Sequence, residues 1–340
     1  MSTLIQERIE NKKKIHDFST FIHHATIDTI DDLLTKYFHK DAIWYGPHPI
    51  NQLNGVQSIS ENFYKPLLKS LPDLEKNNFM MLSGSFSETE GEWVSTAGHF
   101  VGTFEGDFLN IPATKGAVWL RFGEFHKIKD GKIVETRIIV DLLDLMRQAG
   151  FKFISSLGAE IVNPGPASHD GILLGECDET ESTRTLNLVE DMIYKGLRDD
   201  YREKGKDDMG MELYFHKDFM WYGPGGTGTT RGLKGFMDYH QGPFCEGIPD
   251  YLGGNHITRF AEGKYCSFVG WPSIYATHTG DGWLGLPATN KKITMRVMDF
   301  YRREDNLLVE NWVYIDMVDF LLQIGIDVFD RMEKSKYVFK

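Results

Sequence analysis

Two acidic side chains are placed where they could move protons. Glu124 lies in Phe122-Gly-Glu-Phe-His126 and Asp299 in Val297-Met-Asp-Phe-Tyr301. A carboxyl group among apolar neighbours has its neutral form favoured by desolvation, which raises its pKa toward the range where it can accept and return a proton. Two residues along the same strand face stand His126 and Tyr301, which can transfer or donate a proton, histidine titrating closest to neutrality. The alternative for both carboxylates is structural, a strand residue held by a hydrogen bond or a helix N-terminus.

The hairpin carrying each carboxylate decides what faces it. Asp130-Gly131 reads either as a two-residue turn or as the start of a three-residue loop with Gly131 left-handed and a bulge, and Asp305-Asn306 offers the same choice. The second option pairs Glu124 with Ile138 and Arg121 with Asp141, and in the later hairpin Asp299 with Val313 and Arg296 with Asp316. Opposite charges facing each other in both hairpins favour it. Pleating then puts Phe122, Glu124, His126 and Ile138 on one face, matched by Val297, Asp299, Tyr301 and Val313. Arg121 and Asp141, matched by Arg296 and Asp316, fall on the other, which we assign to packing between the two halves. Asp141 and Asp316 each precede an apolar helix with Asp144 or Asp319 three residues later, so capping is their first role and catalysis their second.

These elements recur because the chain is duplicated. Tyr37–Pro47 reads YFHKDAIWYGP and Tyr214–Pro224 reads YFHKDFMWYGP, and the same spacing matches Pro72-Asp73 with Pro249-Asp250. Residues 1–150 form one domain and 185–340 a second. Between them 151–184, with NPGPASHDG and GECDETESTR, reads as a linker whose Ile172-Leu173-Leu174 can dock on a neighbouring surface. Each half predicts helices first and then a meander of antiparallel strands, an α+β order. Strands are expected at 42–45, 79–86, 93–103, 117–128 and 133–140, with helices at 56–71 and 142–148. Trp44 and Trp221, in the repeated Trp-Tyr-Gly-Pro, serve either as core or as the wall of a pocket for a ring-shaped ligand.

Composition narrows the function further. The chain has 340 residues, 41% hydrophobic and 25% charged, which is the balance of a folded protein of two domains. A net charge of −12 without a basic cluster argues against nucleic acid and anionic membrane as partners. Three cysteines, Cys177, Cys245 and Cys266, lack disulfide or zinc spacing, and the histidines form no metal set. With no long apolar segment and no apolar stretch after the first charges, a cytoplasmic location is expected. No phosphate-binding glycine loop or serine elbow occurs, so no nucleotide cofactor or metal is implied.

The strings HTGDGWLGLPATNKKITMRVMDFYRREDNLLVENWVYIDMVDFLLQIG (278–325) and TFEGDFLNIPATKGAVWLRFGEFHKIKDGKIVETRIIVDLLDLMRQAG (103–150) resemble the SnoaL-like polyketide cyclase family of the nuclear transport factor 2-like superfold. The Gly-Leu-Pro-Ala-Thr turn, the Asp-Gly hairpin with Lys-Ile-Val-Glu, and the terminal Gln-x-Gly carry the likeness in order and spacing. It implies two tandem cone-shaped α+β barrels, each a curved antiparallel sheet wrapped on helices, packed as an intrachain pseudo-dimer whose further association stays open. It also makes the Glu124 and Asp299 face the pocket face. The family's catalytic aspartate falls at Ile138 and Val313, and its histidine at Glu124 and Asp299, so the proton-moving carboxylate is expected on the neighbouring strand. Phe122, Ile138, Val297 and Val313 would line the pocket, with Phe108 and Trp283 as lids. The implied function is a cofactor-independent cyclase, isomerase or dehydratase (a lyase or isomerase) acting on a carbonyl compound. Glu124 and Asp299 would move the proton and His126 or Tyr301 would stabilise the enolate, the partner being a small hydrophobic or aromatic ligand. A non-catalytic binding module and an interaction protein with filled pockets stay open beside it.

Overall fold

Ile15, Phe18 and Ile22 recur at helical spacing and are fully buried, so the described chain opens on a helix, α1 (Thr3–Ile22), packed by that face. The computed structural model describes residues 3–335. After α1 come α2 (Ile30–Tyr37), β1 (Phe38–Tyr45), β2 (Gln52–Asn54) and α3 (Val56–Ile59), which runs through a widened turn at Ser60–Tyr64 into α4 (Lys65–Ser70). The helix ends just before Pro72, as the fixed proline ring requires of its neighbour. Four long strands follow, β3 (Glu75–Phe86), β4 (Thr89–Thr103), β5 (Ala117–Lys129) and β6 (Lys132–Val140), closed by α5 (Leu142–Gln148).

The second copy repeats this order. α6 (Glu179–Asp191) continues through a wide-turn stretch, Met192–Asp200, into α7 (Tyr201–Lys204). Then come β7 (Phe215–Tyr222), β8 (Thr229–Arg231), α8 (Gly232–Phe236), a wide turn at Met237–Gln241, and α9 (Gly242–Gly247). The strands are β9 (Thr258–Glu262), β10 (Tyr265–Thr277), β11 (Lys292–Glu304) and β12 (Leu307–Ile315), followed by α10 (Met317–Gln323) and α11 (Val328–Ser335).

Each copy builds one six-stranded sheet, ordered β2-β1-β6-β5-β4-β3 and β8-β7-β12-β11-β10-β9. The sheets are mixed rather than antiparallel: β1 runs parallel to β6 and β7 to β12, because helices and a three-strand meander intervene before the chain returns alongside its first strand. They are also open rather than closed barrels. Intervening chain covers one edge strand in each: Met81 N donates to Gly171 O at 2.8 Å and Leu173 N to Met81 O at 3.2 Å, and Ala159 exchanges two bonds with Thr229 of β8. Such cover removes unpaired strand groups that would otherwise template aggregation.

That covering divides the intervening segment. Among the described residues, one compact unit comprises 3–152, 167–176 and 327–335; the other comprises Phe153–Pro166 and Cys177–Ile326. The stretch 151–184 is therefore shared between the two bodies, and α11, numbered within the second domain, belongs to the first unit. Trp312, on the outer sheet face, donates its indole N–H to Pro164 O of its own unit at 2.8 Å.

The hairpins settle the choice of turn in an unforeseen way. Lys129 pairs with Lys132, and Asp130 and Gly131 take φ of 50° and 70°, so the turn has two residues. The bulge lies further along, between Lys127 and Ile128, and restores the pairing of Glu124 with Ile138. β11 and β12 do the same, with a shift between Arg302 and Arg303 and Asp299 opposite Val313. The repeated glutamine is explained too: Gln148 bonds both backbone groups of Trp119 at 3.0 and 2.9 Å, and Gln323 both of Thr294 at 2.8 and 2.9 Å. Each fastens its last helix to the third long strand.

Candidate active site

Asp299 is aimed inward from the middle of β11, flanked by Phe268 and Val313 across the sheet and by Val297 and Tyr301 along its own strand. These side chains line a cavity of about 120 Å³ within the second unit. The wide-turn stretches supply the facing wall: Met192, Ile193, Leu197 and Arg198 from one, His240 and Gln241 from the other. Trp221, Phe236, Phe244, Tyr251 and Gly253-Gly254 complete most of the enclosure. Trp221 lies over the second residue after it; a Cβ on Gly223 would sit 2.1 Å from the indole, so glycine there is required by the ring. Trp44 and Gly46 repeat this at 2.1 Å.

Asp299 is 5% exposed, and burial raises its carboxyl to about 7 against the pull of two hydrogen bonds. The Tyr301 hydroxyl and the Asn311 amide each donate to Oδ1 at 3.0 Å. Oδ2 has no hydrogen-bond partner among the described residues and is left for the cavity. Burial, and then Asp299 itself, raises the Tyr301 phenol well above its ordinary value, so Tyr301 stays a donor, committed to the carboxylate.

Two histidines not singled out from sequence also line the cavity. His240 stacks on Trp221 with ring centres 3.6 Å apart, and burial lowers its pKa to about 3. His256 stacks on Phe268 at 3.9 Å, and Arg259 Nη1 donates to its Nδ1 at 2.7 Å. Burial, then the Arg259 charge, holds His256 well below the usual histidine range. Arg259 is fixed in turn by Glu190 at 2.9 Å and the Tyr194 hydroxyl at 2.9 Å.

The first unit answers the same position differently. Glu124 pairs with Ile138 and with Thr96 of β4, and it is fully buried. Lys76 Nζ, also fully buried, donates to Glu124 Oε2, as does the Thr96 hydroxyl at 3.0 Å. His126 Nε2 lies 3.4 Å from the same oxygen, and its Nδ1 bonds Thr136 Oγ1 at 2.9 Å. Burial opposes the charge on Glu124, but Lys76 and His126 outweigh it and hold the carboxyl well below the usual range. Lys76 is wrapped by the rings of Phe122, Phe18 and Phe100, at 4.9, 5.7 and 5.7 Å.

One substitution between the copies accounts for much of this. In the register set by Pro72-Asp73 and Pro249-Asp250, Lys76 corresponds to Gly253. Both aspartates latch the matching threonine, Asp73 on Thr103 and Asp250 on Thr277, so the backbone follows the same course up to this point. An ammonium and four methylenes fill the interior of one unit; a side chain is missing from that place in the other.

The remaining sequence candidates sort cleanly. Trp221, Val297, Val313, Asp299 and Tyr301 meet at the cavity, whereas Trp283 is not among its lining residues and packs behind Phe244 and against Phe320. Phe108 lines a narrow apolar crevice with Phe104 and Leu120, away from Glu124. Trp44 is fully buried against Phe63. Asp141 and Asp316 cap α5 and α10, accepting from Asp144 N at 3.0 Å and Asp319 N at 3.2 Å, and each faces its arginine, Arg121 at 3.7 Å and Arg296 at 3.0 Å. Among the described residues no group of three or more metal-ligating side chains occurs, and no helix is long and apolar enough to cross a membrane.

Comparison with known proteins places the chain. A family model described as SnoaL-like polyketide cyclase matches residues 18–149 and 200–324. The solved structures similar to it include one described as a SnoaL-like polyketide cyclase, from Jannaschia sp. CCS1. That structure is 18% identical, with 45% of this chain and 99% of the other covered and a TM-score of 0.37. IdmH from Streptomyces antibioticus, described as a polyketide cyclase, is 17% identical over 40% of this chain and 98% of its own, with a TM-score of 0.33. A nuclear transport factor 2-like protein from Burkholderia xenovorans LB400 is 17% identical over 42% and 98%, with a TM-score of 0.32. No curated protein matches the sequence.

Proposed function

Because the chain belongs to the SnoaL-like polyketide cyclase family through both of its halves, we propose that its second unit is an acid–base catalyst acting beside the carbonyl group of a small ring-bearing compound. Asp299 moves the proton. The observation that carries this reading is one carboxyl group, buried in a cavity, with one oxygen held and the other free, and a pKa raised to about 7. A base with that pKa is half ionised at neutral pH and strong enough to take a proton activated by an adjacent carbonyl. Tyr301 and Asn311 fix the rotation of the carboxylate so that Oδ2 meets the ligand, which lowers the entropy cost of the transfer. Cyclisation, isomerisation and dehydration all begin with this step.

In this reading the first unit is structural. Glu124 is charged, committed to Lys76, and its second oxygen is sealed from solvent, so it has neither the basicity nor the access that proton transfer needs. The test is exchange of solvent deuterium into the carbon beside the carbonyl of cyclic ketones and lactones, followed by NMR. Wild type and Glu124→Gln should accelerate exchange for at least one compound and Asp299→Asn should not. Equal exchange by wild type and Asp299→Asn would remove Asp299 from the chemistry. Binding without exchange would make the unit a binding module.

A further inference from the structure

Tyr301 cannot serve both the base and the substrate oxygen. Its single O–H is donated to Asp299 Oδ1, so the charge that develops on a carbonyl oxygen during proton removal needs another donor. His256 has the required state built in. The Arg259 guanidinium has donors and no acceptor, and it points Nη1 at His256 Nδ1, which must therefore accept. The neutral ring then carries its proton on Nε2, which has no partner among the described residues. The ring lines the cavity and stacks on Phe268, the direct cross-strand neighbour of Asp299.

The size of the space bounds the ligand. A cavity of about 120 Å³ is comparable to the roughly 150 Å³ apolar cavity known to take up benzene, so the interior has room for one six-membered ring. Its walls include two stacked aromatic pairs, Trp221 with His240 and Phe268 with His256, which suit a flat ring.

Resting on the proposed role of Asp299, we propose that the second unit takes a single-ring cyclic ketone or enol, with His256 Nε2–H donating to its oxygen. The C–H bond beside the carbonyl breaks and its proton passes to Asp299 Oδ2. Its electron pair forms the C=C bond, the carbonyl pair moves to oxygen, and that oxygen is held by His256. Arg259 is a positioning residue that sets the tautomer.

Phenols are stable stand-ins for such an enol, and Asp299→Asn stands in for the protonated base. Nitrogen NMR of the free wild-type protein should show His256 neutral with its proton on Nε2; a proton on Nδ1 would overturn the assignment. Calorimetric titration of Asp299→Asn with phenol, 2-naphthol and 2-anthrol should show phenol binding at least tenfold tighter than the three-ring compound. Adding His256→Ala should weaken phenol at least tenfold and flatten the dependence of affinity on phenol acidity, while His256→Gln, which keeps an N–H at that edge, should restore most of both. Equal affinity for one and three rings, or an acidity dependence untouched by His256→Ala, would refute the inference. If phenol binding depends on His256 while wild type exchanges no deuterium, the catalytic reading of Asp299 fails alone. If exchange depends on Asp299 while phenols ignore His256, the present inference fails alone.

Discussion

Replacing Asp299 by Asn should make the second unit more stable, and only above acidic pH. In the unfolded chain the carboxyl has its ordinary pKa of 3.8, whereas burial in the native state raises it to about 7. Below about pH 4 both states hold the proton and the group contributes no difference. Between about pH 4 and 7 the unfolded chain has released its proton and the native protein has not, so native stability falls as pH rises. Above 7 both states are ionised and the deficit is constant. Three units at about 1.4 kcal/mol each make the full deficit on the order of 4 kcal/mol. Asn keeps the oxygen that accepts from Tyr301 and Asn311 and has nothing to ionise, so it escapes the deficit. Native-state hydrogen exchange of β11 and β12 amides in urea reads this unit by itself, in wild type and variant together, at pH 4.5, 6 and 8. The expected gap in favour of Asp299→Asn is small at pH 4.5 and reaches about 4 kcal/mol at pH 8. A gap independent of pH, or a variant less stable than wild type at pH 8, would show that burial does not hold this carboxyl neutral.

Three further outcomes follow from the geometry. Lys76→Met takes the cation from Glu124, leaving only the Thr96 hydroxyl and His126 beside a buried carboxylate, and should cost about 3–5 kcal/mol, largely recovered in Lys76→Met with Glu124→Gln, as a double-mutant denaturation cycle would read. Gly253→Leu returns a side chain to the place that Lys76 fills in the other unit. Its Cβ would meet only Ile274, at 3.8 Å, so the protein should fold with unchanged circular dichroism yet lose phenol binding and deuterium exchange. Asp316→Ala removes the cap of α10 and the partner of Arg296, costing about 1–2 kcal/mol by thermal denaturation while leaving deuterium exchange per folded molecule intact.

Whatever is repeated in the sequence was legible in it. The duplicated Trp-Tyr-Gly-Pro, the capping aspartates and the facing of Arg296 and Asp316 are set by residues close together or by one hairpin, and all reappear in the structure. The pairing of Glu124 with Ile138 was legible for a partly mistaken reason: the turn is tighter than the favoured loop, and a bulge two pairs away restores the register. The parallel contact of β1 with β6 was hidden because it joins residues such as Trp44 and Thr136, whose pairing no local pattern encodes. His240 and His256 were missed for a related cause. Neither has a histidine counterpart in the other copy, and each reaches the cavity only through helices and turns whose placement depends on tertiary packing. A signal did exist: the unmatched Gly253-Gly254 lies where the first copy carries a lysine.

That mismatch decides how each copy handles the same problem. A carboxylate on the third long strand, facing inward, must be desolvated in either fold, and the sheet alone provides no charge to offset it. The first copy supplies Lys76 from β3, which makes the carboxylate permanently charged and fills the space in front of it. The second copy withholds the cation, so space remains and the carboxyl group is pushed toward neutrality instead. In this account the missing side chain contributes to both the cavity and the raised pKa: restoring bulk at Gly253 should close the one, and an added cation there should lower the other. Gly253→Lys tests this directly, because a carbon-13 titration of Asp299 should then find its pKa below that of wild type. A pKa left near 7 with lysine in place would mean that the strand environment, rather than the absent partner, sets the basicity of Asp299.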